Sequence, residues 1–297
     1  MAPRVLICGA TGVFGQHLVH ELDGKFDLVL GSRKLFDLRD PAALESAARG
    51  CFAVVCTAGP FQKLPPTLPH AAVRAGAHWI DIADPPSWIL PLLADRELDA
   101  AARAKGLAVM TGQSSTPALS LSLLRHVAPS ATAARITLYI GNRNAKGTAA
   151  VASALEAGLD DPVTVELPCG PRRAVRFASA DTAISGIHID FRVAFEWRLA
   201  QLALKIGRAP RLLATLAAPL SRFGSDAGGL LVEADGRRAF LWAEHHGQRL
   251  AILPAALALE SLLESPPSGV ISPTTSLPRL LARDRTHVRL QGDLPEK

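Results

Sequence analysis

The sequence has few aromatic residues and no dense run of charge of one sign. Aromatic residues make up 5% of its 297 residues, and its 32 lysines and arginines are scattered, although the formal net charge is +5. Nucleic-acid-binding proteins more often carry a basic stripe with interleaved aromatic residues. We therefore expect no nucleic-acid partner, and we expect the mild positive charge to favour an anionic small molecule.

Cysteine is also scarce, and its spacing excludes the common zinc patterns. The four cysteines form no CxxC pair, which argues for reduced thiols in the core. Glu244 is followed by two adjacent histidines, but neighbouring side chains on a strand point to opposite faces and no HExxH pattern is present. The sequence predicts no metal site.

Long apolar runs are missing as well. The first apolar run, 5–8, ends at Gly9, and the most apolar later stretch, 197–223, is interrupted by lysine, arginine, glycine and proline between 205 and 211. A spanning helix needs about 20 apolar residues. We expect a cytoplasmic protein with no membrane partner. A surface-seeking amphipathic segment over 191–223 is an alternative that these interruptions disfavour.

What is present is an alternation of short β-branched runs with helical patterns. Predicted strands cover 4–8, 27–31, 52–56, 78–82 and 107–110, and predicted helices cover 13–22, 41–49, 68–75 and 88–105. Such alternation is typical of βαβ units. We predict an α/β fold in which a Rossmann-like doubly wound parallel sheet, residues 1–130, precedes a second α+β domain, residues 131–297.

The predicted second domain has a different rhythm. Strands are expected at 134–140, 163–167 and 187–193, a helix near 148–157, and a hairpin between 230–234 and 239–243. A helix at about 254–264 follows, and its return to the first domain is left open. The tail beyond 265 is predicted to be loop with one short helix.

The junction of the first strand and first helix carries three glycines spaced three apart, Gly9, Gly12 and Gly15. In this context the glycines permit a tight turn, approach of a pyrophosphate to the backbone, and close packing of helix on strand. The helix start supplies unpaired N–H groups for phosphate. We predict a dinucleotide site at these glycines and at Thr11, Val13 and Phe14.

The end of the second strand bears on which dinucleotide is bound. An NAD site usually has an acidic residue here to hold the ribose 2′-hydroxyl, whereas this strand ends in Ser32, Arg33 and Lys34. A hydroxyl and two cations suit a 2′-phosphate. We therefore predict that NADP(H) is preferred over NAD(H), with solvated loop charges as the alternative.

Several further segments point to one family. After the glycines come TAGPF (57–61), AGAHWIDIAD (75–84), GQSSTPALS (112–120), IGNRNAKGTAAVASAL (140–155) and RFGSDAGG (222–229). Together they resemble the saccharopine dehydrogenase-like oxidoreductases over most of the chain. The resemblance implies an NADP-binding Rossmann domain, hydride transfer on a carbonyl, imine or related carbon, and cofactor contacts from Ala58, Gly59, Pro60 and Phe61.

One departure from that family concerns the adenosine side of the cofactor. Members usually place a helix and a further strand after the second strand, whereas here GSRK runs directly into LFDLRDPAAL. The segment LFDL is a candidate for a short substitute strand. The shortening leaves open whether the cofactor is bound with normal affinity.

No motif identifies the group that would protonate the substrate. Asp81 and Asp84, at the carboxyl end of the fourth strand, are the better-placed candidates, and His78 is a third. For the two aspartates, capping of the helix that follows is an equal alternative.

Candidate substrate residues come from two polar segments. Ser114 and Ser115 lie just before a helix, where capping is the alternative role. Asn142 and Arg143 lie in a glycine-flanked loop, where Arg143 could clamp a carboxylate, and His188 alternates with Asp190 on one predicted strand. The expected partner is a small-molecule substrate, and a homodimer is left open.

Two other functions compete with this interpretation. A short-chain reductase would need a Tyr-x-x-x-Lys pair, but the single tyrosine, Tyr139, is followed four residues later by Arg143, which excludes that class. A redox-sensing regulator that binds NADP(H) without turnover stays as the alternative, because the adenosine side is shortened and no proton donor is evident.

Overall fold

The computed structural model describes residues 2–32, 35–144, 161–196, 223–283 and 287–294. By internal contacts the chain divides into two compact units. The first comprises 1–118 and 251–275, and the second comprises 119–250 and 276–297. The predicted helix near 148–157 and the stretch 197–222 lie outside the described residues.

The first unit is an α/β unit built around a six-stranded sheet. Its strands are β1 (Arg4–Cys8), β2 (Asp27–Gly31), β3 (Ala53–Cys56), β4 (His78–Asp81), β5 (Ala108–Met110) and β12 (Gly269–Ile271). Its helices are α1 (Val13–Leu22), α2 (Pro41–Ala48), α3 (Leu68–Ala75), α4 (Pro86–Leu93), α5 (Arg96–Ala104) and α8 (Leu253–Glu264).

All strand pairs in this sheet are parallel, in the order β12-β5-β4-β3-β1-β2. The four central strands are almost wholly buried and the edge strands β2 and β12 are partly exposed, as expected where helices cover both faces of a parallel sheet. The strand order reverses between β1 and β3. In open α/β sheets ligands bind at the carboxyl ends of the strands beside such a switch point.

The second unit is an α+β unit with a mixed seven-stranded sheet. Its order is β13-β11-β10-β6-β9-β8-β7, with β6 parallel to β9 and the remaining pairs antiparallel. The strands are β6 (Ala133–Ile140), β7 (Val163–Leu167), β8 (Gly170–Arg176), β9 (His188–Phe195), β10 (Gly228–Ala234), β11 (Arg237–Ala243) and β13 (Val288–Gly292). The helices are α6 (Ser120–Val127), α7 (Asp181–Ser185) and α9 (Leu277–Arg283).

The predicted fold class is confirmed, and most predicted elements of the first unit appear within a residue or two of their bounds. The single helix predicted over 88–105 is wrong, because two helices occupy that region. Pro91 lies inside α4 and lacks an N–H donor. Asp95 then begins α5 by accepting a hydrogen bond from Leu98 N at 2.9 Å.

The segment that was a candidate third strand is not a strand. Residues 35–38 form turns and loop, with the backbone N–H groups of Leu35 and Phe36 donating to Ser32 O. The tail also differs from the prediction, because β12 joins the edge of the first sheet and β13 joins the second. The predicted hairpin, now β10 with β11, is confirmed.

Candidate functional site

The glycine turn after β1 is shaped by two close backbone approaches. Gly9 has φ +82°, and a Cβ there would lie 2.8 Å from Ala58 N. A Cβ at Gly15 would lie 2.1 Å from Gly9 O, closer than real Cβ contacts allow. Glycine is therefore required at both positions, and the turn can pass tightly from strand to helix.

The start of α1 leaves its N–H groups without a side-chain partner. Gly12 is the N-cap residue, no side chain caps the helix, and no acidic residue occupies its first turn. Thr11 and Gly12 are exposed, while Val13 and Phe14 are half-buried. A helix start with these properties suits a phosphate anion, since the N–H groups and the helix dipole both attract negative charge.

A second loop lies against the first across the switch point. Thr57 follows β3, and both its backbone N–H and its hydroxyl donate to Cys8 O. The Gly59–Pro60 peptide bond is cis, and Gly59 is exposed. Phe61 is buried against Trp88, with ring centroids 5.5 Å apart. The structure thus brings the predicted cofactor residues 58–61 beside the glycine turn.

The adenosine side of this site is short. Ser32 lies directly after β2 and is half-buried, but Arg33 and Lys34 lie outside the described residues. Among the described residues the sheet ends at β2. Leu30 and Leu35 are 51% and 61% exposed there, so apolar surface is open at this edge of the sheet.

Asp81 is a fully buried hydrogen-bond acceptor rather than an open catalytic group. Its Oδ1 accepts from Ala83 N at 3.0 Å, Thr111 Oγ1 at 3.0 Å and Gly112 N at 2.9 Å. Its Oδ2 accepts from the indole N–H groups of Trp79 at 2.8 Å and Trp88 at 3.1 Å.

This carboxylate joins three segments of the ligand edge. Burial raises the pKa of Asp81, and hydrogen bonds, led by that from Gly112, oppose the rise. With both oxygens occupied, Asp81 holds the loops after β4 and β5 in place. The geometry therefore argues for a positioning role and against the predicted catalytic one.

His78 is placed at the wrong end of its strand for catalysis at this edge. It is the first residue of β4 and lies about 10 Å from the carboxyl end at about 3.3 Å per residue. Its Nδ1 accepts from Ala108 N at 2.9 Å, and its ring meets Phe52 edge-on. Burial lowers the pKa of His78, which fits a neutral ring within the core.

Asp84 keeps the properties expected of a proton donor. It follows β4 at the carboxyl edge and is partly exposed. The alternative capping role does not apply, because Pro85 is the N-cap residue of α4 and no side chain caps that helix. Burial raises the pKa of Asp84 to about 6, opposed by its own backbone N–H. A carboxyl group in this range can hold or release a proton near neutral pH.

The polar segment after β5 is mostly engaged in local structure. Ser114 is buried and its hydroxyl donates to Ala251 O at 3.0 Å. Ser115 is 7% exposed and precedes a kink at Thr116, whose backbone is extended (φ −136°, ψ 132°) and whose peptide bond to Pro117 is cis. Neither serine caps α6, because Leu119 is the N-cap residue of that helix and no side chain caps it.

Sequence reasoning missed Gln113, the residue between Gly112 and Ser114. Its side chain is fully buried, and neither Oε1 nor Nε2 has a hydrogen-bond partner in the part of the chain that the structure describes. Its backbone N–H donates to Asp81 O at 2.8 Å, so it belongs to the same edge. Its position three residues after the predicted strand 107–110 was the one signal in the sequence that could have found it.

The predicted substrate residues of the second unit have different surroundings. Asn142 is buried, and its side chain donates to Phe223 O at 2.8 Å, which gives it a structural partner. Its backbone N–H donates to the Glu196 carboxylate at 2.7 Å. The side chain of Arg143 is exposed, as is His188 at the start of β9. Roles for these three residues in substrate binding stay predictions.

The described residues offer neither a metal site nor a membrane span. No group of three or more His, Cys, Asp and Glu side chains is arranged to hold a metal ion. In the same residues, no helix has the length and apolar character needed to cross a membrane.

No protein-family model matches the chain, and no curated protein matches it either. Solved structures do match. An engineered D-amino acid dehydrogenase bound to NADP⁺ has 15% identity and a TM-score of 0.50, with 96% of this chain and 100% of that chain covered. At this identity the likeness shows the Rossmann-like two-domain fold alone.

Two further structures match at TM-scores too low to carry an argument. An amine dehydrogenase from Mycobacterium smegmatis has 12% identity, covers 91% of this chain and 94% of its own, and gives 0.49. The diaminopimelate dehydrogenase of C. glutamicum, in complex with diaminopimelate, has 14% identity, covers 95% and 99%, and gives 0.47.

Proposed function

We propose that this chain is an NADP(H)-dependent oxidoreductase similar to the saccharopine dehydrogenase-like family. It would transfer hydride to or from a carbonyl, imine or related carbon of a small or lipid-like substrate. The observation that carries the proposal is the pairing of two loops at the switch point. The glycine turn and the 58–61 loop approach so closely that a side chain at Gly9 would strike Ala58.

In this proposal, different groups of the chain bind different parts of the cofactor. The N–H groups at the start of α1 hold the pyrophosphate, and the 58–61 loop lines its other side. Ser32, with Arg33 and Lys34 as predicted partners, holds the 2′-phosphate. When bound, the cofactor supplies or accepts the hydride. The fold shared with a dehydrogenase that binds NADP⁺ motivates the choice of cofactor.

Asp84 is the residue that we assign as the proton donor or acceptor. It is partly exposed at the carboxyl edge, it has no capping role, and its pKa of about 6 suits proton transfer near neutral pH. Asp81 and the two tryptophans that donate to it hold the loop before Asp84. Replacing Asp84 with asparagine should lower turnover by about a hundredfold and leave cofactor affinity unchanged.

Calorimetric titration with NADPH and NADH tests the cofactor assignment. We expect tighter binding of NADPH, and we expect Gly12→Val to abolish binding while the protein stays folded. A Cβ at Gly12 would lie 3.2 Å from Gly9 O, a tight contact that a shift of a few tenths of an ångström relieves, and the exposed side chain would obstruct the phosphates. Absence of binding by the unaltered protein, or a preference for NADH, would contradict the assignment.

A regulator that binds NADP(H) without turnover is the second candidate. It is favoured by the end of the described sheet at β2 and by the exposed apolar side chains of Leu30 and Leu35 beside it. The two functions differ in one assay. An enzyme consumes NADPH with some carbonyl or imine in a substrate panel, whereas a regulator binds NADPH, consumes none and changes its binding to a protein partner.

A further inference from the structure

The Gln113 side chain is a polar group in the interior of the first unit that has no hydrogen-bond partner among the described residues. It is fully buried, and neither its amide oxygen nor its amide nitrogen is paired within that part of the chain. Its backbone is held in place, because Gln113 N donates to Asp81 O and the adjacent Gly112 N donates to Asp81 Oδ1. The unpaired amide is thus carried by a well-anchored segment.

A buried amide with no partner lowers stability, so such a group in a folded protein calls for an explanation. A primary amide presents one acceptor and one donor side by side in a plane. A carboxylate ligand would satisfy only the donor, and an ammonium ligand only the acceptor. The ligand that satisfies both presents a donor and an acceptor of its own in one plane, as a primary carboxamide does.

The position of Gln113 in the sheet indicates which half of a bound dinucleotide it contacts. A Rossmann sheet binds one mononucleotide on each side of the switch point. Here β1 and β2 form the adenosine side, and β3, β4 and β5 form the other side. Gln113 follows β5, three strands from β1 and so about 14 Å from it at the usual strand spacing. It therefore belongs to the half that takes the nicotinamide.

We propose that Gln113 is a cofactor-binding residue whose side-chain amide pairs with the carboxamide of the nicotinamide ring. This inference rests on the proposed NADP(H) function and assigns a residue to its nicotinamide end. The Gln113 side chain is buried in the absence of ligand, so it must become accessible to the cofactor when the two amides pair. Binding should therefore change amide hydrogen exchange in the segment 112–116.

The test compares NADP⁺ with its 3-acetylpyridine analogue, in which a methyl group replaces the carboxamide NH₂. Calorimetry on the full chain should show about tenfold tighter binding of NADP⁺, as expected for one hydrogen bond. In Gln113→Leu that preference should fall to about onefold, because leucine cannot pair with either head group. The control Gln291→Leu makes the same change at an exposed site in β13 and should keep the preference.

A thermal unfolding measurement without ligand separates ligand binding from a structural role. Removing an unpaired buried amide should raise the melting temperature of Gln113→Leu by about 3 °C, whereas loss of a structural hydrogen bond would lower it. A lower melting temperature of Gln113→Leu, or an unchanged preference of this variant for NADP⁺, would overturn this inference. Either result would leave the proposed function intact. If the unaltered protein binds neither dinucleotide, the proposed function fails and this inference with it.

Discussion

Replacing Asp84 with asparagine should stabilise the protein at alkaline pH and have little effect at acid pH. Burial raises the pKa of Asp84 from 3.8 to about 6. A carboxyl group with a higher pKa in the folded state takes up a proton on folding. Its favourable contribution is therefore fully present below about pH 4 and is lost as the pH rises through about 6.

The size of the effect follows from that pKa difference. The interval from 3.8 to about 6 corresponds to at most about 3 kcal/mol, at about 1.4 kcal/mol for each pH unit. The side chain is partly exposed, and water screens part of the penalty, so we expect about 1 to 3 kcal/mol. Asparagine has no charge to desolvate and should not show this dependence.

Urea unfolding of both proteins at about pH 4 and about pH 8 measures the difference. The stability of Asp84→Asn relative to the unaltered protein should increase by about 1 to 3 kcal/mol between the two pH values. Asp23→Asn, at an exposed aspartate in the same unit, is the control and should show no such change. A difference that is the same at both pH values would refute the raised pKa and, with it, the choice of Asp84 as proton donor.

Three other substitutions test the local architecture. Gly15→Ala should lower the free energy of unfolding by about 3 kcal/mol or more and abolish NADPH binding, because the added Cβ would clash with Gly9 O. An unchanged melting temperature would contradict the packing of the turn. Asp81→Asn should lower the free energy of unfolding in urea by about 2 to 4 kcal/mol, because an amide NH₂ cannot accept hydrogen bonds from the donors that now surround the carboxylate. A decrease of less than about 1 kcal/mol would contradict its positioning role. Asp40→Ala should lower the free energy of unfolding by about 1 kcal/mol, because it removes the acceptor for the Ala42 N–H at the start of α2. Asp40→Ser should restore most of this stability in the same assay, since serine also caps helices. Equal decreases in both variants would argue against capping.

Local patterns were sufficient for several elements in the first half of the chain. The bounds of β1, α1, β2 and α3 match their predictions, because apolar periodicity and flanking glycine or proline residues act over a few neighbouring positions. The N-cap of α2 is local in the same way, since Asp40 and the Ala42 N–H that it accepts from are two residues apart. The division of the chain at residue 130 stays a prediction.

Predictions from local patterns failed where distant segments decide the structure. Strand β12 has three residues and pairs with β5, which lies about 160 positions earlier in the chain, so its sequence alone carries little strand signal. Strand β8 has the sequence GPRRAVR, whose proline and three arginines hide its alternation. Its pairing with β7 and β9 makes it a strand.

In the candidate site, too, some features follow from local sequence and others depend on the tertiary structure. The sequence by itself determined the glycine turn, because the need for glycine at Gly15 follows from its backbone contact with Gly9 O, six residues earlier. Only the tertiary structure separated Asp81 from Asp84, because the donors to Asp81 come from three segments of the chain. Likewise, only folding revealed that Gln113 is buried without a partner. Hydrogen-bond satisfaction and desolvation depend on neighbours that folding brings together, and no local pattern records them.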